Sequence, residues 1–565
     1  MTDAAEAPKP AHPVEAAHPV EAAPVGRPAA GPGENRPAPD GPAGEAGEAG
    51  EAGEAGEAGE GAAGRAGASD PLAPLDRRVF AVAGAVFALL MALSSRYGFH
   101  IDELYFLDCA RHLQASYVDQ PALAPLLARV SLSLFGVSAA GLRLWAALAA
   151  AGTVVVGGLT AREFGGPRRA QLLAAVGVGT MPVLLGGAHV ANTTSYEVLA
   201  WASIALVVAR VGRTGDTRWW LAAGALVGVG AEFNHLAAAF GAVLLAAALL
   251  GPARRTVADR RLLAGVVVAV LLVLPDLWWQ ERHGWAMFAM TRALNGENGG
   301  LGNIPTWIVG QLGMSCLAMV VVWAAGLRFL WRSDRPLWRC LAIAYAVLFV
   351  VFAVTTGAQV YYLGGLYVCL LAAGAVELDE SLHSRRDRLR GLLVGTAVSA
   401  AVSALVVLPV LPPSDIAWTY GISANSGESL GWPQLVGTVR QVWTGLPPEQ
   451  RAHAVLFADD YGEAGAIDEL GRGDGLPVAA GAQNTDWWWG PGDTDATTVV
   501  AVAPGPGHAP GFAATLHRYF RHVRVAATLT NPYGVHNIEW GGHVYVCTGP
   551  RRPWGGIWPK LRVYG

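Results

Sequence analysis

Lysine is nearly missing from this chain. Of its 40 lysine and arginine residues only Lys9 and Lys560 are lysine, so arginine carries the positive charge. Arginine keeps its charge and grips phosphate through a planar fork; a GC-rich genome, which favours arginine codons, produces the same bias with no functional meaning. Charge of either sign is also scarce. Charged residues make up 15% of the 565 and hydrophobic ones 53%, with a mean hydropathy of +0.34. That excludes one soluble domain of this size and points to several membrane spans. The net charge of -4 gives no support to a nucleic-acid partner. The five cysteines (Cys109, Cys316, Cys340, Cys369 and Cys547) show no CxxC or other metal spacing. Three lie in apolar runs, where a free thiol behaves as a small hydrophobe; a Cys109–Cys547 disulfide requires that both face an oxidising compartment. No cleavable signal peptide is visible, because the start is polar and the first apolar run opens only near residue 79.

What is present divides the chain in three. Residues 1–75 are Ala, Gly, Pro and Glu, with AHPVEA written twice and a GEA triplet repeated through Gly44–Gly59. With almost nothing to bury, they are expected to be a disordered cytoplasmic tail. Residues 76–411 hold apolar runs near 79–95, 138–160, 169–188, 195–211, 219–233, 236–251, 262–280, 305–330, 338–356, 361–377 and 391–411, about eleven transmembrane helices. Arginines cluster between consecutive pairs of spans: Arg77/Arg78, Arg162/Arg168/Arg169, Arg210/Arg213/Arg218, Arg254/Arg255/Arg260/Arg261, Arg328/Arg332/Arg335/Arg339 and Arg385/Arg386/Arg388/Arg390. The positive-inside rule puts these on the cytoplasmic side, and it requires a break within 219–251, at Phe233–His235. Residues 412–565 change to strand-length runs (HAVLFA, TTVVAVA, VRVAATL, HVYVC), with a helix over Tyr461–Leu470, and read as an extracytoplasmic α/β domain. The fold class is therefore mainly α, a polytopic membrane protein with an appended α/β domain.

The polar residues gather on the outer face, above all in the loop 97–135. It carries Asp102, Glu103, Asp108 and Asp119, and acids held between spans need water, protein or a substrate. Two adjacent carboxylates can supply a general base that takes a proton from an acceptor hydroxyl. The competing reading makes Asp102 the N-cap of a helix over 103–113. Asp119-Gln120-Pro121 reads as a helix start with Pro in the first turn. Trp487, Trp488 and Trp489 stack on sugar rings, pack in a core or anchor an interface.

Here the chain resembles a known family. YGFHIDELYFLDCARHL, followed by YVDQPALAPLLARVSLSLFG, is similar to the first outer loop of the glycosyltransferase family 39 proteins. These are the relatives of the protein O-mannosyltransferases and of the aminoarabinose transferase of lipid A, with the GT-C membrane fold. GGAHVANTTSYE, DLWWQERHGW, ALNGENGG and GAQVYYLGGLY resemble its later outer segments. VLFADDYGEAGAIDELG, GAQNTDWWWGPG and NPYGVHNIEWGGHVYVC resemble the tail of an actinobacterial branch. The resemblance implies a polyprenyl-phosphate sugar as donor, transfer on the outer face, and a protein, glycan or lipid acceptor. Asp102 matches the family's acidic base, Glu103 its neighbour, and Asp119 and Gln120 its DQP element. Two family lysines are replaced, one by the Gln359-Val360 pair and one by Asn234 ahead of His235. The donor phosphate would then be met by Arg96, Arg282 or Arg292, or by hydrogen bonds from His100, His189, His235 or His283. Tyr361 and Tyr362 line the sugar pocket or anchor the membrane interface. His189, Asn192 and Glu197 hold the acceptor or a divalent cation, or are structural. The polar turn Asn295–Asn298 is a lid over the donor groove or an ordinary solvated loop.

The expected function is an inverting membrane glycosyltransferase with Asp102 as base, needing no certain cofactor. The alternatives are a catalytically inactive relative that binds the lipid or assists assembly, and a transporter. Intramembrane paired acids of the kind that bind coupling ions are few.

Overall fold

Backbone in hydrocarbon must close its hydrogen bonds within itself, so long apolar runs become helices. The computed structural model describes residues 72–251, 253–294, 304–355 and 357–565. The N-terminal tail as far as residue 71 and the Asn295–Asn298 turn lie outside the described residues.

The helices run in chain order as α1 (Arg78–Leu93), α2 (Ile101–Arg111), α3 (Leu123–Phe135), α4 (Ala139–Glu163), α5 (Arg168–Gly179), α6 (Pro182–His189) and α7 (Thr194–Thr214). There follow α8 (Trp219–Ala231), α9 (Leu236–Leu250), α10 (Arg254–Val257), α11 (Arg260–Arg282), α12 (Ala286–Leu294), α13 (Ile304–Met314), α14 (Val320–Arg332) and α15 (Pro336–Val354). Then come α16 (Gly364–Glu377), α17 (Asp379–His383), α18 (Arg386–Val407), α19 (Ala417–Tyr420), α20 (Trp432–Thr444) and α21 (Pro448–Arg451). The C-terminal segment adds α22 (Tyr461–Leu470), α23 (Asp486–Trp489), α24 (Phe512–Tyr519) and α25 (Trp554–Ile557).

Among the described residues six helical segments are long and apolar enough to cross a membrane, or up to eight if two bent pairs each count as one span. The expected eleven are therefore not reached by length and composition. Three of them, α1, α8 and α9, are apolar but shorter than 18 residues. The break expected near Phe233–His235 is present between α8 and α9.

The C-terminal segment contains a five-stranded sheet in the order β2-β1-β3-β5-β4. Its strands are β1 (Ala454–Ala458), β2 (Ala479–Gly481), β3 (Thr498–Ala503), β4 (Phe520–Thr528) and β5 (His543–Pro550). β2, β1 and β3 run parallel, while β5 pairs antiparallel with both β3 and β4. Alternation along β3 decides which layer each side chain joins. Val500 and Val502 pack with Leu435, Val439 and Ile467 from α20 and α22. Val499 and Ala501 pack on the other face with Phe512, Leu516 and Trp554.

The described residues from 72 to 565 fall in one compact unit. All five cysteines are free and buried, so the Cys109–Cys547 disulfide is absent: Cys547 lies under the sheet among Val499, Phe520 and Trp554, while Cys109 sits with Tyr105 and Tyr117.

Candidate active site

The site begins with the way α2 starts. His100 is extended and is the N-cap, with its Nδ1 accepting from the Asp102 backbone N–H at 3.2 Å. The side chain of Glu103 accepts from the His100 N–H at 2.8 Å, closing a capping box. Asp102 is thus not the cap; it stands one turn-position inside the helix, because His100 already satisfies the exposed N–H. Glu103 is wholly enclosed. It takes Arg143 Nε at 2.8 Å and Nη2 at 2.7 Å, and the Ala191 N–H at 2.8 Å. Arg143 also donates to the Ser94 and Gly98 carbonyls at 2.6 Å each. A buried ion pair with this many partners fixes geometry and leaves no lone pair for a substrate. Glu103 therefore pins α2, while its neighbour Asp102 turns toward solvent with 35% of its side chain exposed.

Asp102 opens onto a polar cavity of about 120 Å³. Its other walls are Tyr105, Phe106, Asp119, Gln120, Asn192, Thr193 and Tyr461. The Tyr105 hydroxyl donates to Asp119 Oδ1 at 2.7 Å, and the Tyr461 hydroxyl to Asp102 Oδ1 at 3.2 Å. The two tyrosine rings lie 4.8 Å apart. Burial pushes the Asp119 carboxyl up to about 6, against the lowering effect of the Tyr105 hydrogen bond. Among the described residues, no arginine, lysine or histidine lines this cavity.

Asp119-Gln120-Pro121 does not begin a helix. It forms a tight turn, with the Tyr117 N–H donating to the Gln120 carbonyl at 2.9 Å and Ser116 bridged to Pro121; α3 starts later, with Ala122 in the capping position. The end of α11 holds this turn. Asp276 accepts from Ser116 Oγ and pairs with His235 Nε2 at 3.0 Å; Gln280 donates to the Tyr117 carbonyl at 2.9 Å, and Trp279 to Gln114 at 2.7 Å. His235 is thus engaged with a carboxylate rather than lining the cavity. Glu197 is buried and accepts from Asn234 at 3.0 Å. His189 is buried within electrostatic reach of Arg143 and His100, and its Nδ1 has no partner among the described residues. Arg282 is exposed, stacked 4.4 Å above Trp278, and Gln359 is exposed; neither lines the cavity. Tyr361 and Tyr362 meet edge to face at 5.2 Å, with Tyr361 within electrostatic reach of Glu197 and Asp102. Among the described residues, no group of three or more His, Cys, Asp or Glu side chains is placed to hold a metal ion.

With that geometry in hand, the comparisons are informative. The family profile for dolichyl-phosphate-mannose-protein mannosyltransferase matches residues 119–279. The crystal structure of ArnT from Cupriavidus metallidurans bound to undecaprenyl phosphate superimposes with a TM-score of 0.56 at 17% identity, over 83% of this chain and 97% of that one. The fold is that of this ArnT structure. ArnT from the same organism in the apo state gives 0.55 at 17% identity over the same shares. The apo oligosaccharyltransferase of Archaeoglobus fulgidus gives only 0.45 at 13% identity, over 71% of this chain and 64% of that one, too little to carry an argument. No curated protein sequence matches the chain.

On this scaffold, Asp102, Asp119 and Gln120 come together; Glu103 and His100 stand behind them as supports. Reading the sequence missed Arg143, Tyr105 and Tyr461. Arg143 carried a signal, being a lone charge near the outer end of an apolar run. Tyr461 follows the first strand of a parallel set, where open α/β sheets place ligands. The three tryptophans prove to be packing groups. Trp489 stacks on His112 at 4.3 Å, Trp488 meets Trp279 and His283 edge-on at 6.2 and 5.6 Å, and Trp487 lies parallel to Trp558 at 6.5 Å.

Proposed function

We propose that this chain transfers a sugar from a polyprenyl-phosphate donor to a hydroxyl of a cell-envelope acceptor, on the extracytoplasmic face. The observation that carries the reading is Asp102. It is the carboxylate held at the mouth of a polar cavity by a locked helix start, in a GT-C fold. In the proposed reaction Asp102 takes the proton of the acceptor hydroxyl while that oxygen attacks the anomeric carbon. The bond to the lipid phosphate breaks, and the phosphate leaves as an anion. One displacement without a covalent enzyme intermediate inverts the configuration. The ArnT structure contains undecaprenyl phosphate, which supports a lipid of that class as donor carrier.

The cavity walls bear hydroxyls, amides and carboxylates but no cation. They suit a neutral polyol better than a phosphate, so the donor phosphate would sit outside this cavity. Arg96 and the exposed Arg282 at the outer end of α11 are the candidates to meet it. In this reading α1, α8 and α9 also span, restoring eleven crossings with the N-terminus cytoplasmic and residues 412–565 outside. Wild-type protein in lipid, given radiolabelled polyprenyl-phosphate mannose, glucose or arabinose with cell-envelope acceptors, should transfer sugar, and Asp102→Asn should lose at least about a hundredfold in rate. Transfer that survives in a folded Asp102→Asn protein overturns the assignment. One observation favours the inactive relative: Asn234, where the family has lysine, is engaged with Glu197. That reading expects lipid binding with no turnover of any donor.

A further inference from the structure

The C-terminal segment reaches the cavity through one side chain, and its placement is built rather than incidental. α22 lies directly along α2. Two glycines make this possible: a Cβ on Gly465 would stand 2.7 Å from the Leu104 carbonyl oxygen, and one on Gly462 would enter the Ile101 side chain. Such an approach is closed to any larger residue. The start of α22 is fixed as firmly as that of α2. Asp460 is its N-cap, accepting from the Gly462 N–H at 2.6 Å, and Glu463 closes a second capping box. The backbone N–H of Tyr461, the first helical residue, donates to Gln483 at 3.0 Å. At the far end, Arg111 of α2 pairs with the enclosed Glu469 of α22. Two capped helices are thus held in one register, and Tyr461 projects from the join onto Asp102.

We infer that Tyr461 is a positioning residue of the transfer site, its hydroxyl orienting the Asp102 carboxylate, so that the C-terminal segment is part of the active site. The inference rests on the base reading of Asp102. His100 cannot supply this hydrogen bond: its Nδ1 accepts from the Asp102 N–H and stands 3.6 Å from the carboxylate. Among the described residues, Tyr461 is the side chain that donates to that carboxylate. With Oδ1 held by Tyr461, Oδ2, 3.6 Å from His100 Nδ1, is the oxygen left without a donor among the described residues, and in this reading it meets the acceptor. The proton taken from the acceptor hydroxyl then goes to Oδ2, and the Tyr461 proton stays where it is. A residue that merely filled space against Tyr105 would need the ring and not the hydroxyl.

Tyr461→Phe keeps the ring and removes the hydroxyl. The full chain in lipid is assayed with whichever of the three polyprenyl-phosphate sugars supports transfer. The expected result is a kcat lower by roughly ten- to a hundredfold, with the donor KM and the unfolding temperature unchanged. In the Asp102→Asn background, Tyr461→Phe should have no further effect, because the two groups act as a unit. A Tyr461→Phe protein within twofold of wild type, beside an inactive Asp102→Asn, overturns this inference and leaves the base reading standing. An active Asp102→Asn protein, or a wild type that transfers nothing, overturns both. Should Tyr461→Phe be poorly folded, Gly465→Ala, which pushes α22 off α2, provides the second variant; it should lower kcat while the binding of undecaprenyl phosphate stays intact, and full kcat in that variant counts against the inference.

Discussion

Two helices of this protein invert the ordinary relation between hydropathy and burial. α18 carries no charge from Gly391 to Val407 and has only Thr396 buried, with Val394 64% and Val398 59% exposed. α2 carries Asp102, Glu103, Asp108 and Arg111, yet all its residues except Asp102 and Arg111 are buried. The solvent explains the difference. Around α18 it is lipid, as apolar as the helix itself, so no free energy is gained by hiding valines in the protein. Around α2 Glu103 is paired with Arg143, Arg111 with Glu469, and the helix start is capped, whereas the buried Asp108 leaves Oδ1 without a partner among the described residues. The apolar spans are thus selected by composition, and α2 by partners placed far away in the sequence.

The largest break in this contrast should come from Arg143→Ala, which leaves Glu103 buried and unpaired. Thermal unfolding in lipid should show a loss of about 3–5 kcal/mol; replacing both partners with Met and Leu should cost much less. Next is a charge in each setting. Val398→Asp should cost about 2.5–3.5 kcal/mol in membrane-insertion assays, whereas Val478→Asp, at an exposed site of the C-terminal segment, should stay within about 0.5 kcal/mol.

Acidity gives a third, smaller effect with a defined sign. Burial pushes Asp119 and Asp460 up to about 6, and Asp459, Asp468 and Glu428 up to about 7. Unfolded carboxyls titrate near 4. Between about pH 4 and 7 the folded protein therefore binds more protons than the unfolded chain, and stability falls as pH rises through that window. The unfolding temperature should be higher at pH 5.5 than at pH 7.5; the opposite slope would mean that these acids are solvated. Smallest of all, Val402→Leu on the lipid face should move neither unfolding nor transfer, to within about 0.5 kcal/mol.

The apolar runs, the break at Phe233–His235 and four of the five strands could be read from periodicity and length. β2 could not, since Ala479–Gly481 has no β-branched or aromatic residue and exists because β1 offers an edge. The sequence offered Asp102 as the cap of α2 only as a competing reading; His100 takes that place because its backbone is extended and Glu103 completes the box. Asp102, Asp119 and Gln120 were legible because they share one short loop. Tyr461 was not, since 359 residues separate it from its partner Asp102.

By itself the sequence determined the medium. A chain this poor in charge points to lipid, and four of its acids, Asp102, Glu103, Asp108 and Asp119, stand in one loop between apolar runs. Only the tertiary structure decided which of two adjacent carboxylates is free. Glu103 and Asp102 are equal as sequence, but one helical step turns the first onto Arg143 and the second into the cavity. That choice depends on Arg143, Ala191 and Tyr461, which reach the loop through packing and not through neighbourhood in the chain.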